Sequence, residues 1–318
     1  MGWGMRIVVA GEALVDLVPD ADASTHGRLR PLPGGSPFNV AIGLGRLGMQ
    51  ASYLGPLSDD GFGDLLAARL DEAGVARELT GRSALPSSLA MVHLDAAGHA
   101  SYRFYLDGTS ATSLTTDDVA SLDTSSALHV SLGALTFATA TTGPVLATLA
   151  RAAAQRPFVS LDPNVRPAVI VDRDAAARTM DDVVAHVDVV KASDADLETL
   201  YPGEDPLAVA GRWARSGPAL VVVTRGEHGA VAVRREGGTL TVASPEVDVV
   251  DTVGAGDAFS SGLLAALDVR GALARDVLVA LPASELAAAL RFAAEVAALT
   301  CTRAGADPPR RDEVDAAV

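Results

Sequence analysis

The chain has 318 residues, 49% hydrophobic and 20% charged, enough for one large α/β domain and incompatible with general disorder. Its 40 acidic residues outnumber 25 basic ones, for a formal net charge of −15, which argues against a nucleic-acid surface. No apolar run approaches the length of a membrane span, since the alanine-rich stretch 287–298 is interrupted by Arg291 and Glu295. The single cysteine, Cys301, allows no internal disulfide and no set of soft metal ligands, and fits a cytoplasmic protein.

Residues 6–18 read as a first strand, and 37–47 as a helix stopping at Gly48. A second strand is expected at 52–55 and a helix at 63–73, closed by Gly74. Segments 89–95 and 99–106 flank Ala96-Ala97-Gly98 as a hairpin. From 128 onward strand and helix alternate: strands at 128–132, 158–162, 187–191 and 220–224, helices at 143–154, 174–185, 194–200 and 206–215. This rhythm implies a mostly parallel sheet with helices on both faces, whose ligands bind at the carboxyl ends of the strands. Segments at about 12–33 and 89–107 break the rhythm and read as a small β lid on a single domain spanning 1–318. Its exposed edge offers a surface for a homodimer through the lid, which nothing in the sequence requires, so the oligomeric state stays open.

The most informative run is Asp251-Thr252-Val253-Gly254-Ala255-Gly256-Asp257. It follows β-rich chain at 241–250 and precedes Ala258, Phe259, Leu263, Leu264 and Leu267, which recur on one helix face. The small residues therefore stand at a helix start, where free N–H groups and the helix dipole suit an anion. Asp257 would be a carboxylate aimed at the bound group, with an ordinary pKa. An anion cradle with an adjacent base suits phosphoryl transfer to a hydroxyl. The same run also suits a plain helix start that uses glycines for a tight turn.

Gly34-Gly35-Ser36-Pro37-Phe38-Asn39 opens a helix, and by itself reads best as a glycine turn with proline in the first helical turn. Asp162-Pro163-Asn164-Val165-Arg166-Pro167 follows a strand end with a carboxylate, an amide and a guanidinium. Lys191 and the Ser193-Asp194-Ala195-Asp196 turn suit a hydrated Mg²⁺ and a helix-capping cluster equally well. Thr224-Arg225-Gly226-Glu227-His228-Gly229 offers a hydroxyl and open backbone, with His228 an exposed turn residue. Trp213 and Cys301 read as structural.

In this order, GGSPFNVAIGLGRLG, LSDDGFGDLL, DPNVRP, VVTRGEHGA and DTVGAGDAF resemble the ribokinase-like (PfkB) family of sugar kinases over nearly the whole chain. GEALVDLVP, GGSPFN and RFYLDGTSA are most similar to bacterial fructokinases. The resemblance implies a ribokinase-like fold and transfer of the γ-phosphoryl group of ATP to a primary hydroxyl, with the 6-hydroxyl of D-fructose as acceptor. The same chemistry on 2-keto-3-deoxygluconate, an aminoimidazole riboside or ribose is the nearest alternative. By the same resemblance Asp257 is the base, and the N–H groups of Gly254, Ala255 and Gly256 form the anion hole. Asp16, Gly34, Gly35 and Asn39 hold the sugar, Arg103 and Tyr105 approach from the lid, and Asn164 and Arg166 lie between sugar and phosphate. Lys191, Ser193, Thr224, Gly226 and Gly229 border the ATP phosphates, and Ala294 and Ala298 the adenine. Asp196 holds Mg²⁺ through water, while Asp251 and Thr252, with backbone at 303–305, build a K⁺ site. One departure is Ser193 and Asp196, where the family commonly carries Asn and Glu. A non-catalytic binding protein on this scaffold would lack the base, and Asp257 is present. A dinucleotide-dependent dehydrogenase is rejected because Gly43, Gly45 and Gly48 fall inside and at the end of a helix.

Overall fold

The computed structural model describes residues 4–19, 27–94, 100–115, 117–118, 122–131, 148–149 and 156–317. The strands of the first half are β1 (Ile7–Ala10), β2 (Leu14–Pro19), β3 (Leu29–Gly34), β4 (Ala51–Leu54), β5 (Leu57–Ser58), β6 (Arg82–Ser83), β7 (Leu89–Leu94), β8 (Ala100–Tyr105) and β9 (Ala127–Ser131). The second half adds β10 (Val159–Asp162), β11 (Val189–Ser193), β12 (Leu220–Thr224), β13 (Ala230–Arg234) and β14 (Thr239–Val242). The helices are α1 (Ser36–Arg46), α2 (Gly61–Glu72), α3 (Arg173–Val184), α4 (Asp194–Leu200), α5 (Pro206–Ser216), α6 (Ala255–Val269), α7 (Arg275–Ala280), α8 (Ala283–Cys301) and α9 (Arg311–Ala317).

One sheet has the order β14-β13-β12-β11-β10-β9-β1-β4. Its strands run parallel from β4 to β12, and β13 and β14 close it antiparallel. Apolar residues occupy both strand faces, as a sheet covered on two sides requires. Ile7, Val9, Val189 and Val222 pack with residues of α1, α6 and α8, whereas Val8, Ala10, Val190 and Val221 pack with residues of α3, α4 and α5. The helices start where short polar side chains hold free N–H groups: Asp60 caps α2, Asp172 caps α3 and Asp205 caps α5. Gly48 and Gly74 follow α1 and α2 with φ of 79° and 74°, as the glycine stops predicted.

Two predicted boundaries change. The strand expected at 6–18 is two strands, β1 in the large sheet and β2 in another. The break is at Gly11, whose φ is 145° and whose Cβ position lies 2.5 Å from Pro37 Cγ. The β-rich reading of 241–250 holds only for β14, and residues 243–250 have no regular secondary structure. The helix at 143–154 and the turn at 95–99 fall outside the described residues, apart from 148–149.

The other four-stranded sheet has the order β3-β2-β7-β8. It is joined to the carboxyl end of β1 through residues 11–13 and to the start of α1 through Gly34 and Gly35. That places it beside the loops at the carboxyl ends of β1, β9, β10, β11 and β12. No helix among the described residues is long and apolar enough to cross a membrane.

Candidate active site

Asp257 stands in the first turn of α6, 7% exposed. Gly254 precedes the helix at φ 77°, and a Cβ there would lie 2.6 Å from the Ala306 Cβ. Glycine alone takes that conformation without strain, so the sequence needs it to aim the helix start. Ser36 donates to Asp257 Oδ1 at 2.7 Å, Asn39 Nδ2 to Oδ2 at 2.9 Å, and Asn164 Nδ2 to Oδ1 at 3.4 Å. Ser131 in turn donates to Ser36 at 3.0 Å. Ser36 and Asn39 are three residues apart on α1 and so share the face turned toward α6. Burial lifts the Asp257 pKa to about 6, against the lowering by Asn39 and Ser36. The ordinary pKa expected from sequence is therefore corrected upward; the group is still mostly ionised at neutral pH.

Lys191 Nζ meets Asp162 Oδ2 at 2.9 Å, with the lysine side chain 7% exposed and the aspartate 0%. Burial alone would lower the Lys191 pKa, but Asp162, Asp196 and Asp257 together raise it. The ammonium lies beneath the helix start: a Cβ on Gly256 would come within 2.9 Å of it. Gly256 thus leaves room for the buried ammonium against the helix start. The first-turn N–H groups of a helix have no intrahelical acceptor. Ala255 N–H, however, donates to the Thr252 carbonyl at 3.2 Å, so the predicted anion hole loses that member here.

Asn164 is the one non-glycine residue with positive φ among the described residues, at 40°. Its N–H donates to Asp162 Oδ1 at 3.0 Å, which holds the turn, and its buried Oδ1 has no hydrogen-bond partner. Asp196 caps α4 together with Ser193: Oδ2 accepts from Ser193 N–H at 2.8 Å and from its hydroxyl at 2.6 Å. Asp196 Oδ1 accepts from Val165 N–H at 2.7 Å, so the same carboxylate clamps the Asn164–Arg166 loop. Burial, then Asp162, raises its pKa. Both residues thus carry a capping role at the cavity wall.

These groups line a cavity of about 520 Å³. Asp16, Gly35, Asn39, Asn164 and Arg166 reach it as expected, and Gly34 sits behind Asp16, with only 2.3 Å between its Cβ position and Asp16 Oδ2. Arg103 and Tyr105 do not: β8 lines the cavity with Tyr102 and Phe104. Side chains alternate along a strand, so the intervening residues take the other face, and Tyr105 is 51% exposed. Glu12 also lines the cavity, 3% exposed, with Oε2 unpartnered. Burial lifts Glu12 to about 7 and Asp16 to about 6, with Arg166 opposing both. Sequence reasoning missed Glu12, Ser36 and the Asp162–Lys191 pair. Glu12 could have been found from its place at the carboxyl edge of the first strand.

A second cavity of about 600 Å³ adjoins the first and shares Thr224, Thr252 and Gly256 with it. It brings together Gly226, Gly229, Ala294 and Ala298, with Phe259, Val247 and Val249. Gly226 and Gly229 make the tight turn between β12 and β13, and any Cβ on Gly229 would strike the Val242 carbonyl at 2.0 Å. Cys301, expected to be structural, lines this cavity, whereas Trp213 is core and donates to Asp181 at 2.8 Å. His228 is exposed as predicted. Asp251 accepts from Val253 N–H at 3.0 Å and from Gly305 N–H at 2.8 Å, which ties the loop before α6 to the segment after α8.

The chain as a whole is similar to proteins of known name. A fructokinase of Rhizobium leguminosarum bv. trifolii is 38% identical over 271 residues, 85% of this chain and 82% of that protein. The crystal structure of a Xylella fastidiosa fructokinase with bound ATP matches with a TM-score of 0.86 at 28% identity, covering 98% of this chain and 97% of the other. A double-mutant fructokinase of Vibrio cholerae O395 in fructose, ADP and potassium ion bound form matches with a TM-score of 0.84 at 27% identity, covering 99% of each. The fold is thus ribokinase-like. The model of the pfkB family of carbohydrate kinases matches residues 5–313, and with the site's geometry this makes the chain a member of that family and a carbohydrate phosphotransferase.

Proposed function

We propose that the enzyme transfers the γ-phosphoryl group of ATP to the 6-hydroxyl of D-fructose. The observation that carries this reading is the position of Asp257: buried, held by Ser36 and Asn39, and next to Gly256, which borders both cavities. The relatives named fructokinase, and the neighbours bound to ATP or to fructose and ADP, support the acceptor and donor.

In this reading the sugar occupies the cavity of Asp16, Gly35 and Arg166, with Gly34 supporting Asp16, and the nucleotide occupies the slot of Ala294 and Ala298. Asp257 accepts the proton of the attacking hydroxyl as the phosphoryl group arrives. The free N–H groups at the α6 start face the charge that develops on that group, and Lys191 and Arg166 offset it. Thr224, Gly226, Gly229 and the Ser193 turn border the phosphates. Asn164, strained and with a free Oδ1, holds sugar or phosphate at the junction.

A hard divalent cation, Mg²⁺, would neutralise phosphate charge and fits the oxygen donors present, with Asp196 acting through water. K⁺ would be held at Asp251, Thr252 and the backbone of 303–305, segments that the Asp251–Gly305 bond already joins. The β3-β2-β7-β8 sheet would act as a lid that keeps water from the reacting groups, and as the surface for pairing with a second copy. Function in the cytoplasm accords with this chemistry.

The test is ADP release with Mg-ATP and K⁺ across D-fructose, 2-keto-3-deoxygluconate, ribose and aminoimidazole riboside. Strong preference for D-fructose supports the reading. Preference for another acceptor discards the sugar but keeps the site, and silence in folded protein discards both.

A further inference from the structure

Helix α1 holds the Asp257 carboxylate at its start, through Ser36 and Asn39, and grips a second segment at its end. Arg46, in the last turn of α1, donates to Asp307 Oδ1 at 2.8 Å and also to the Pro308 carbonyl. Arg69, in the last turn of α2, donates to the same Oδ1 at 2.7 Å, and Arg303 stands 3.8 Å from Oδ2. One carboxylate thus ties two helix ends to the segment after α8. Burial alone would raise the Asp307 pKa, but the Arg69 bond and the Arg46 charge hold it below the usual carboxylate range. Burial, then the Arg69 charge, lowers the Arg46 pKa. Without Asp307 the two guanidinium groups would face each other as like charges.

Asp307 in turn fixes the back of the α6 start. Its N–H donates to the Gly305 carbonyl at 2.9 Å and closes a three-residue turn around Ala306. Ala306 lies directly behind Gly254, whose Cβ position is 2.6 Å from the Ala306 Cβ. Gly305 N–H donates to Asp251 Oδ2 at 2.8 Å, and Asp251 Oδ1 accepts from Val253 N–H at 3.0 Å. The path from Asp307 to the run that ends in Asp257 is therefore continuous. A cavity of about 340 Å³ lies between residues 304–307 and the flanks of α1 and α2. Packing across that space is incomplete, so the arginine bonds seat the segment.

We infer that Asp307 is a positioning residue for phosphoryl transfer: bridging the ends of α1 and α2, it holds Ala306 behind Gly254 and Gly305 on Asp251, and so fixes the helix start that presents Asp257. This rests on the kinase reading above and adds a residue to it that touches neither cavity's reacting groups. Helix α1 then sets the base from both ends, directly at Ser36 and Asn39 and indirectly at Arg46. A misplacement of about 1 Å at a reacting centre can cost on the order of 100-fold in rate.

The experiment compares wild type with Asp307→Asn, Asp307→Glu and Arg69→Gln, reading steady-state kinetics and hydrogen–deuterium exchange by mass spectrometry. Asp307→Asn should lower kcat about tenfold or more, with the KM for sugar and for ATP each within about threefold of wild type. Peptides covering 251–258 should exchange about tenfold faster or more, while the central strand β12 stays unchanged. Asp307→Glu keeps the charge between the arginines and should hold kcat within about threefold of wild type. Unchanged exchange at 251–258, or a kcat for Asp307→Asn within about twofold of wild type, overturns the positioning role. Faster exchange throughout, β12 included, reports lost global stability and overturns it too. A glutamate variant as slow as the asparagine one overturns the part given to the charge. If Asp307→Asn does not fold, Arg69→Gln should show the same pattern at smaller size, and its absence overturns the inference. A folded wild type that phosphorylates no acceptor overturns the kinase reading, and exchange at 251–258 then decides the link from Asp307 to the α6 start by itself.

Discussion

The hydroxyl of Ser36 lies 2.7 Å from Oδ1 of Asp257, across 221 positions of sequence, and Ser131 donates to that hydroxyl from behind. Two helix starts, α1 and α6, are thereby locked around one carboxylate. The bond lowers the Asp257 pKa against the burial that raises it. Ser36→Ala should move the acid limb of the pH–rate profile upward by up to about one unit and lower kcat several-fold, with the ATP KM little changed. An unchanged profile would mean the serine serves packing alone.

Asp257 must be ionised to take a proton, and its pKa is raised to about 6. Activity of the free enzyme, read as kcat/KM, should therefore rise tenfold per pH unit below about 6 and level off above it. Asp257→Asn should reduce turnover below a few per cent of wild type while nucleotide binding, followed by calorimetry, persists. Substantial retained turnover would remove the base from the mechanism.

Gly254 holds φ at 77° with Ala306 at its back. Gly254→Ala should destabilise the fold by about 1–3 kcal/mol through backbone strain and steric contact. Urea unfolding measures this, and a midpoint equal to wild type would show that the helix start relaxes freely.

Ala298 is 5% exposed and lines the slot with Phe259. Ala298→Leu places three more carbons where a flat base would lie. The ATP KM should rise tenfold or more, with the D-fructose KM within about threefold of wild type. Equal rises in both, in protein with a normal melting temperature, would place the nucleotide elsewhere.

The run at 251–257 was legible because a helical apolar period begins right behind it, and α6 starts within it. The central strands were legible for the same kind of reason: four-to-six-residue apolar runs flanked by turn formers. The division of 6–18 was not, since both halves are apolar and only the φ of Gly11 separates them. Nor could alternation alone say which face of β8 meets the cavity. Polar Arg103 looked more functional than Phe104, yet the sheet turns its aromatic face inward. The Asp162–Lys191 pair joins the ends of two neighbouring strands, 29 positions apart, and becomes visible only with strand order. Asn39 was readable as a polar residue of the site, but its bond to Asp257 depends on how α1 meets α6.

The most direct test is to identify the phosphorylated product from D-fructose and Mg-ATP by ¹H–³¹P correlation spectroscopy. The account predicts phosphorus coupled to the protons on C6 and to no others. Phosphorus coupled to the C1 protons, or no phosphosugar from folded enzyme, would contradict it.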